Sequence, residues 1–426
     1  MAKITKLSNG LKIVTDTNKN VDTVICAIGV KVGNRQEHKS ETGLSHALEH
    51  MLFKGTTNRT GEVLNEVVDF VGANTNAYTS NEQTVYYIKG PKEHAELALD
   101  VLIDQTQNSI FPTDPMAKEM EVIEQEIKRS FDNPGDNLYH NFTKIAFKGN
   151  PLALPILGSV EQVLAYTPAD MMAYYKKHYH PANMVVSVAG NIKHSDVVVH
   201  VKKYFPETTT KFKKTKTPTL KWHGGESLVH KADENQVSVM VAWPVIGRAA
   251  STIKDEAIAY VVNSVMSGGM SSKLFKEIRE KRGLVYSVSS SIDTYEELGY
   301  FEISGGTDHK KVGEFLEATA LVLNTFEQDL VENDLIKAKN GIKASLASSR
   351  ESINNVAMRN IRHIQQYGKL RDNAPLVAAI NEVTIKDVVA FVRETVKGEP
   401  VLSIYGFCPQ LETGDISLEK FKAMLK

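Results

Sequence analysis

The run His46-Ala47-Leu48-Glu49-His50 carries the clearest chemistry in the chain. Residues four apart on a helix share a face, so His46 and His50 can offer two imidazoles to one metal ion. Glu49 falls on the same side, within reach of a water held by that metal. Two neutral nitrogens and one carboxylate within a helical turn suit Zn²⁺ with a coordination position left open. The order, H-x-x-E-H, is the reverse of H-E-x-x-H. The competing interpretation is an amphipathic helix on which two histidines fall by chance.

An open zinc site needs a third protein ligand. A helix is predicted over residues 113–127, with Asp114 as N-cap and Pro115 at the first helical position. Asn133-Pro134-Gly135 stops it. Glu119 and Glu126 share one face, which Val122 and Ile123 turn inward; Glu121 and Glu124 fall toward solvent. A buried carboxylate is costly unless paired or bound to metal. Two inward carboxylates therefore point to a metal neighbourhood, with an acidic surface helix as the alternative.

The chain resembles the pitrilysin and insulysin family of zinc peptidases, in the branch that holds the β-subunit of the mitochondrial processing peptidase and its bacterial relatives. The likeness runs over essentially the whole chain. Gly43–Thr56 is similar to the family's metal helix nearly residue for residue, Ala47 being a small departure where relatives carry a larger apolar side chain. The resemblance implies one Zn²⁺ per chain. It makes Glu126, which follows His50 with 75 residues between them, the third ligand beside His46 and His50. Glu119 matches the accessory glutamate that orients the site, and Glu49 the general base.

The second half has no H-x-x-E-H. Its segment Leu274–Ser287 is similar to the family's Arg/Tyr segment, which implies that Arg279 and Tyr286 reach toward substrate. Arginine can grip a peptide carbonyl, and a tyrosine hydroxyl can donate to an oxyanion. Taken alone, Arg279 amid Lys276, Glu277, Glu280 and Lys281 reads as a salt-bridged helix face. Ser267–Ser272 lacks the Gly-Lys-Ser/Thr ending of a phosphate loop and aligns with a glycine-rich loop that touches substrate in relatives. Ala73–Ser80 alternates small and polar side chains, as suits an edge strand that pairs with an extended peptide. Asn74, Asn76, Ala77 and Tyr78 are its candidate substrate-binding residues. His178 and His180 read as closing a helix C-terminus, where a cation is welcome, and His94 and His140 as surface or structural.

Composition agrees with a globular enzyme. The net charge is −1 with no basic stripe, which excludes nucleic acid as a partner. The basic patch Lys211–Lys216 reads as a solvated linker. Cys26 and Cys408 sit in no metal spacing and build no disulfide framework. No signal peptide, transit peptide or membrane-spanning stretch is seen, so a cytoplasmic location is expected.

The chain repeats itself once. Asp22–Gly29 resembles 235–242, Tyr86–Gly90 resembles Tyr300–Gly305, and Met184–Gly190 resembles Val401–Gly406. Thr167-x-x-Asp170 and Thr384-x-x-Asp387 are both capping boxes. The offset stays between 213 and 217 residues. Two similar α+β domains follow, at 1–207 and 225–426 with a linker at 208–224, each a largely antiparallel sheet with helices on one face. The expected function is zinc-dependent endopeptidase. The alternatives are a non-catalytic peptide-binding or core-type subunit of a hetero-complex, and a purely structural metal. Long members of the family enclose substrate with four such domains. The resemblance therefore implies two chains around one chamber, most simply a homodimer, a heteromer with a paralogue being the other arrangement, with Arg279 and Tyr286 serving the other chain's zinc site.

Overall fold

The computed structural model describes residues 2–205, 211–234 and 236–425. Two compact units emerge, and neither is contiguous in sequence. The first comprises Met1–Arg129, Leu154–Thr217 and Ser348–Arg371; the second comprises Ser130–Ala153, Pro218–Ala347 and Asp372–Lys426. The expected linker at 208–224 has its first three residues outside the described ones, and from 211 to 224 the chain forms neither helix nor strand.

The first unit holds a sheet of β1 (Lys3–Lys6), β2 (Lys12–Thr17), β3 (Thr23–Val30), β4 (Asn74–Thr79), β5 (Thr84–Pro91) and β6 (Met184–Gly190). Their spatial order is β1-β2-β6-β3-β5-β4. Only β2 and β6 run parallel; the other neighbours are antiparallel. Strand β3 is apolar almost throughout because both of its faces are covered. Val24, Cys26, Ile28 and Val30 join the main core, which includes Leu44, Leu48 and Met51 of helix α1 (Leu44–Met51) and Met116, Met120, Ile123 and Ile127 of helix α2 (Thr113–Asp132).

The opposite face of each sheet is closed by a helix from the other half of the sequence. In the second unit that helix is α3 (Pro134–Ala146); in the first it is α4 (Ile353–Tyr367). Ile25 and Ala27 meet Ile353, Val356, Ala357, Ile361 and Ile364 of α4. A Cβ on Gly29 would stand 2.3 Å from Ile361 Cγ2, so the small residue allows α4 this close to the sheet. Helices thus lie on both faces, where one was expected. The amphipathic stripe of α4 shows that it buries a face but not which sheet receives it.

The second sheet contains β7 (Gly225–His230), β8 (Val237–Ile246), β9 (Val285–Thr294), β10 (Leu298–Thr307) and β11 (Val401–Gly406), ordered β7-β11-β8-β10-β9. It repeats the first from β2 onward: a parallel outer pair β7–β11, then antiparallel β8, β10 and β9. The internal repeat is therefore a repeat of fold; Asn235, at its start, lies outside the described residues. Phe142 and Ala146 of α3 pack on Met240, Ala242, Tyr300 and Val401, and the Ser403 hydroxyl donates to the Leu138 carbonyl at 3.0 Å. Among the described residues no helix is long and apolar enough to cross a membrane. Cys26 and Cys408 are both buried free thiols.

Candidate metal centre

The metal site begins with how α1 is held. Gly43 precedes the helix at φ 85°, and a Cβ there would lie 2.6 Å from the Leu157 carbonyl oxygen, so only glycine fits the turn. The buried Glu37 carboxylate accepts from Gly43 N at 3.0 Å and Ser45 N at 2.8 Å, capping the helix from a distant loop. Burial pushes that carboxyl up to about 7, against the pull of its amide donors. The Ser45 and Tyr174 hydroxyls meet at 2.8 Å.

From α1, His46 and His50 point to the same place, and Glu126 of α2 comes to meet them. Glu126 Oε2 lies 3.6 Å from His46 Nε2 and 3.5 Å from His50 Nε2. All three donor atoms lie within 4.8 Å of one another. Tetrahedral zinc with bonds of about 2.0–2.1 Å needs ligand atoms roughly 3.3 Å apart, so this donor set fits it. Burial, aided by the charge of His50, pulls His46 down to about 3, which keeps it neutral as a ligand must be. Burial also pulls on His50, but the carboxylates of Glu119, Glu126 and Glu49 outweigh it and raise its pKa.

Glu119, two helical turns before Glu126, accepts from His50 Nδ1 at 2.9 Å and pairs with the Lys54 ammonium. Glu49 stands in the same turn as both histidines. Its Oε2 accepts the hydroxyl proton of Thr79, on β4. Burial raises the Glu49 carboxyl, while Thr79 and His50 pull it back. The arrangement can hold a divalent cation on three ligands and place a carboxylate beside it for proton transfer.

Helix α2 buries Met116, Met120, Ile123 and Ile127, with Glu119 and Glu126 at the border of that stripe. Val122, expected to face inward, is 47% exposed. The helix also starts at Thr113, ahead of Asp114, and the stop at Asn133 is the N-cap of α3, its side chain accepting from Gly135 N at 2.8 Å. Glu124 is tied to Lys128 at 2.7 Å.

Strand β4 occupies the edge of its sheet, pairing with β5 alone. Asn74 and Asn76 are exposed. Ala77 packs against the core beneath α1, and Tyr78 on the opposite face brings its hydroxyl 3.8 Å from Met358 Sδ of α4. In the second unit Arg279 and Tyr286 meet each other, the guanidinium 5.1 Å from the ring centre. The segment Phe275–Lys281 winds as a π-helix, and its ion pairs join Glu277 to Lys281 and Arg282. The salt-bridged interpretation therefore applies to the neighbours of Arg279, while Arg279 itself stacks on rings. His178 does close the helix Pro168–His178, but as a neutral ring: burial, then Lys177, pulls it down to about 4.

Sequence reasoning missed Glu37, Thr79, Lys54 and Phe275. Period-2 alternation along β4 would have placed Thr79 on the face of Ala77, toward α1. Nothing local marks Glu37 as a helix cap.

Two family models match: the insulinase family (peptidase family M16) over residues 12–160, and the peptidase M16 inactive domain over residues 165–342. The chain is 34% identical to an uncharacterized zinc protease of Rickettsia felis, over 91% of this chain and 93% of the relative. It is 33% identical to the uncharacterized zinc protease YmxG of Bacillus subtilis, over 92% and 95%. Its fold superposes on the crystal structure of a protease from Helicobacter pylori with TM-score 0.86 and 23% identity, covering 95% of this chain and 99% of that one. The chain belongs to the insulinase family, peptidase family M16.

Proposed function

We propose that this chain is a zinc metalloendopeptidase that hydrolyses peptides or short unfolded segments held extended, in the manner of a processing peptidase. The observation that carries this reading is the convergence of His46, His50 and Glu126, with Glu49 in the same helical turn. Those three residues would hold one zinc ion, which when bound makes water acidic enough to lose a proton near neutral pH and polarises a carbonyl. The names of the curated relatives support the same metal and reaction class.

The chain's own residues supply the remainder. Glu49 takes a proton from the attacking water and returns one to the leaving amine. Burial raises the pKa of its carboxyl, and the Thr79 hydroxyl donates to it. Glu119 orients His50 through Nδ1. The free edge of β4, through the backbone near Asn74, Asn76, Ala77 and Tyr78, pairs with substrate and so selects extended peptides while reading little of their sequence. The Tyr286 hydroxyl donates to the developing oxyanion and Arg279 grips a neighbouring carbonyl. Two chains, as a homodimer, enclose the peptide. Cleavage of an unfolded peptide, its loss on chelation and its recovery on adding Zn²⁺ test the reading; cleavage indifferent to chelator would refute it.

A further inference from the structure

The two imidazoles of the metal centre differ in what holds them. His46 Nδ1 is buried and, among the described residues, no hydrogen-bond partner reaches it. His50 Nδ1 meets Glu119 Oε1 at 2.9 Å. The other oxygen of the same carboxylate, Oε2, is ion-paired with Lys54. Glu119 is a bridge, with one oxygen on an imidazole and the other on an ammonium.

That bridge has a direction. An ionised carboxylate only accepts, so the proton of the His50–Glu119 bond belongs to Nδ1. The Nε2 lone pair is then left facing Glu126 Oε2, 3.5 Å away. The tautomer of His50 therefore depends on Glu119 staying in place and ionised, and the Glu119 side chain is only 13% exposed. A carboxylate with so little water needs a counter-charge. Lys54 is that charge. It follows α1 by a single turn, its backbone amide bonded to the Met51 carbonyl at 3.1 Å. Its main chain is pressed against Gly61, where a Cβ would come within 3.2 Å of it.

We propose that Lys54 is a positioning residue of the metal centre: it holds Glu119, which fixes His50 in the tautomer that binds the metal. This rests on the zinc-ligand reading above. Loss of a partner behind a ligating histidine typically weakens metal binding by about 10–100-fold.

The test is zinc affinity of the full-length chain, measured by competition with a chromophoric chelator at fixed pH and without substrate. Lys54→Met is expected to weaken zinc by about 10-fold, and Glu119→Gln by about 10–100-fold. Lys54→Arg, which keeps the charge, should stay within about 2-fold of wild type. In the Glu119→Gln background, Lys54→Met should add nothing, because the partner through which it acts is gone. Zinc affinity untouched in Lys54→Met, or reduced equally in both backgrounds, would overturn the inference while leaving the ligand set standing. Zinc affinity untouched in Glu126→Gln would instead remove the ligand set on which it rests.

Discussion

The Arg279 guanidinium stands 5.1 Å from the centre of the Tyr286 ring and 4.7 Å from that of Phe275. Each such stack contributes roughly 0.5–2 kcal/mol, and among the described residues the arginine is held by faces of rings rather than by an acid. A guanidinium left unneutralised in this way stays available to a carbonyl. Tyr286 is 84% exposed.

Removing the phenol oxygen alone tests the pair. Tyr286→Phe keeps the ring under Arg279 and should lower kcat by about 10²–10³-fold, the usual cost of one oxyanion donor, with KM little changed. Steady-state kinetics on an unfolded peptide reads this; an unchanged kcat would strike Tyr286 from the mechanism.

A mixing experiment asks which chain the pair serves. Inactive Glu49→Gln chains combined with inactive Tyr286→Phe chains, under exchange conditions, should regain activity. One hybrid site then carries both defects and the other carries none. No recovery in a demonstrated heterodimer, or full activity in a strict monomer by sedimentation, would defeat action across chains.

Glu49→Gln should abolish hydrolysis, by at least about 10²-fold, while bound zinc stays near the wild-type amount. The carboxylate stands beside the donor set and is held by Thr79. Near-wild-type turnover, or zinc lost together with activity, would contradict its role as a base.

Glu126→Gln should lose zinc and activity together, and Glu124→Gln should lose neither. Glu126 faces both imidazoles, whereas Glu124 is paired with Lys128 on the same helix. Metal analysis finding Glu124 the sensitive position would reverse the choice of ligand.

His178 is expected to make the metal-free protein acid-sensitive. An unfolded histidine protonates near 6.5, and burial holds this one at about 4. The unfolded chain thus gains a proton first as pH falls. Stability from this group is complete above 6.5 and is lost progressively down to 4, by up to about 3 kcal/mol. Urea midpoints of chelator-treated protein at pH 7.5 and 4.5 should therefore fall more steeply in wild type than in His178→Phe. Equal slopes would show that His178 does not titrate in this window.

The parts of the site that lie close in sequence were legible. His46, Glu49 and His50 follow from helical spacing; a shared helix face brings Glu119 and Glu126 together, and the resemblance assigns their roles. The repeat offset foretold that β3, β5 and β6 would have counterparts in β8, β10 and β11. What escaped depends on contacts over long separations. Thr79 meets Glu49 only because the sheet edge lies against α1, and Glu37 caps that helix only through a buried turn. Val122 faces solvent although it is apolar, because the stripe toward the core is filled by Met116, Met120, Ile123 and Ile127.

The crossed helices set an order on biosynthesis. The unit that carries His46, His50 and Glu126 draws no residue from between Thr217 and Ser348, yet the helix that covers Ile25, Ala27 and Val185 lies within Ser348–Arg371. At about 5–20 residues per second, a ribosome needs roughly ten seconds to cross that gap. Until then the sheet face formed by Ile25, Ala27 and Val185 lacks the helix that covers it in the folded unit. Completion of the unit that carries His46, His50 and Glu126 is thereby tied to synthesis of most of the chain.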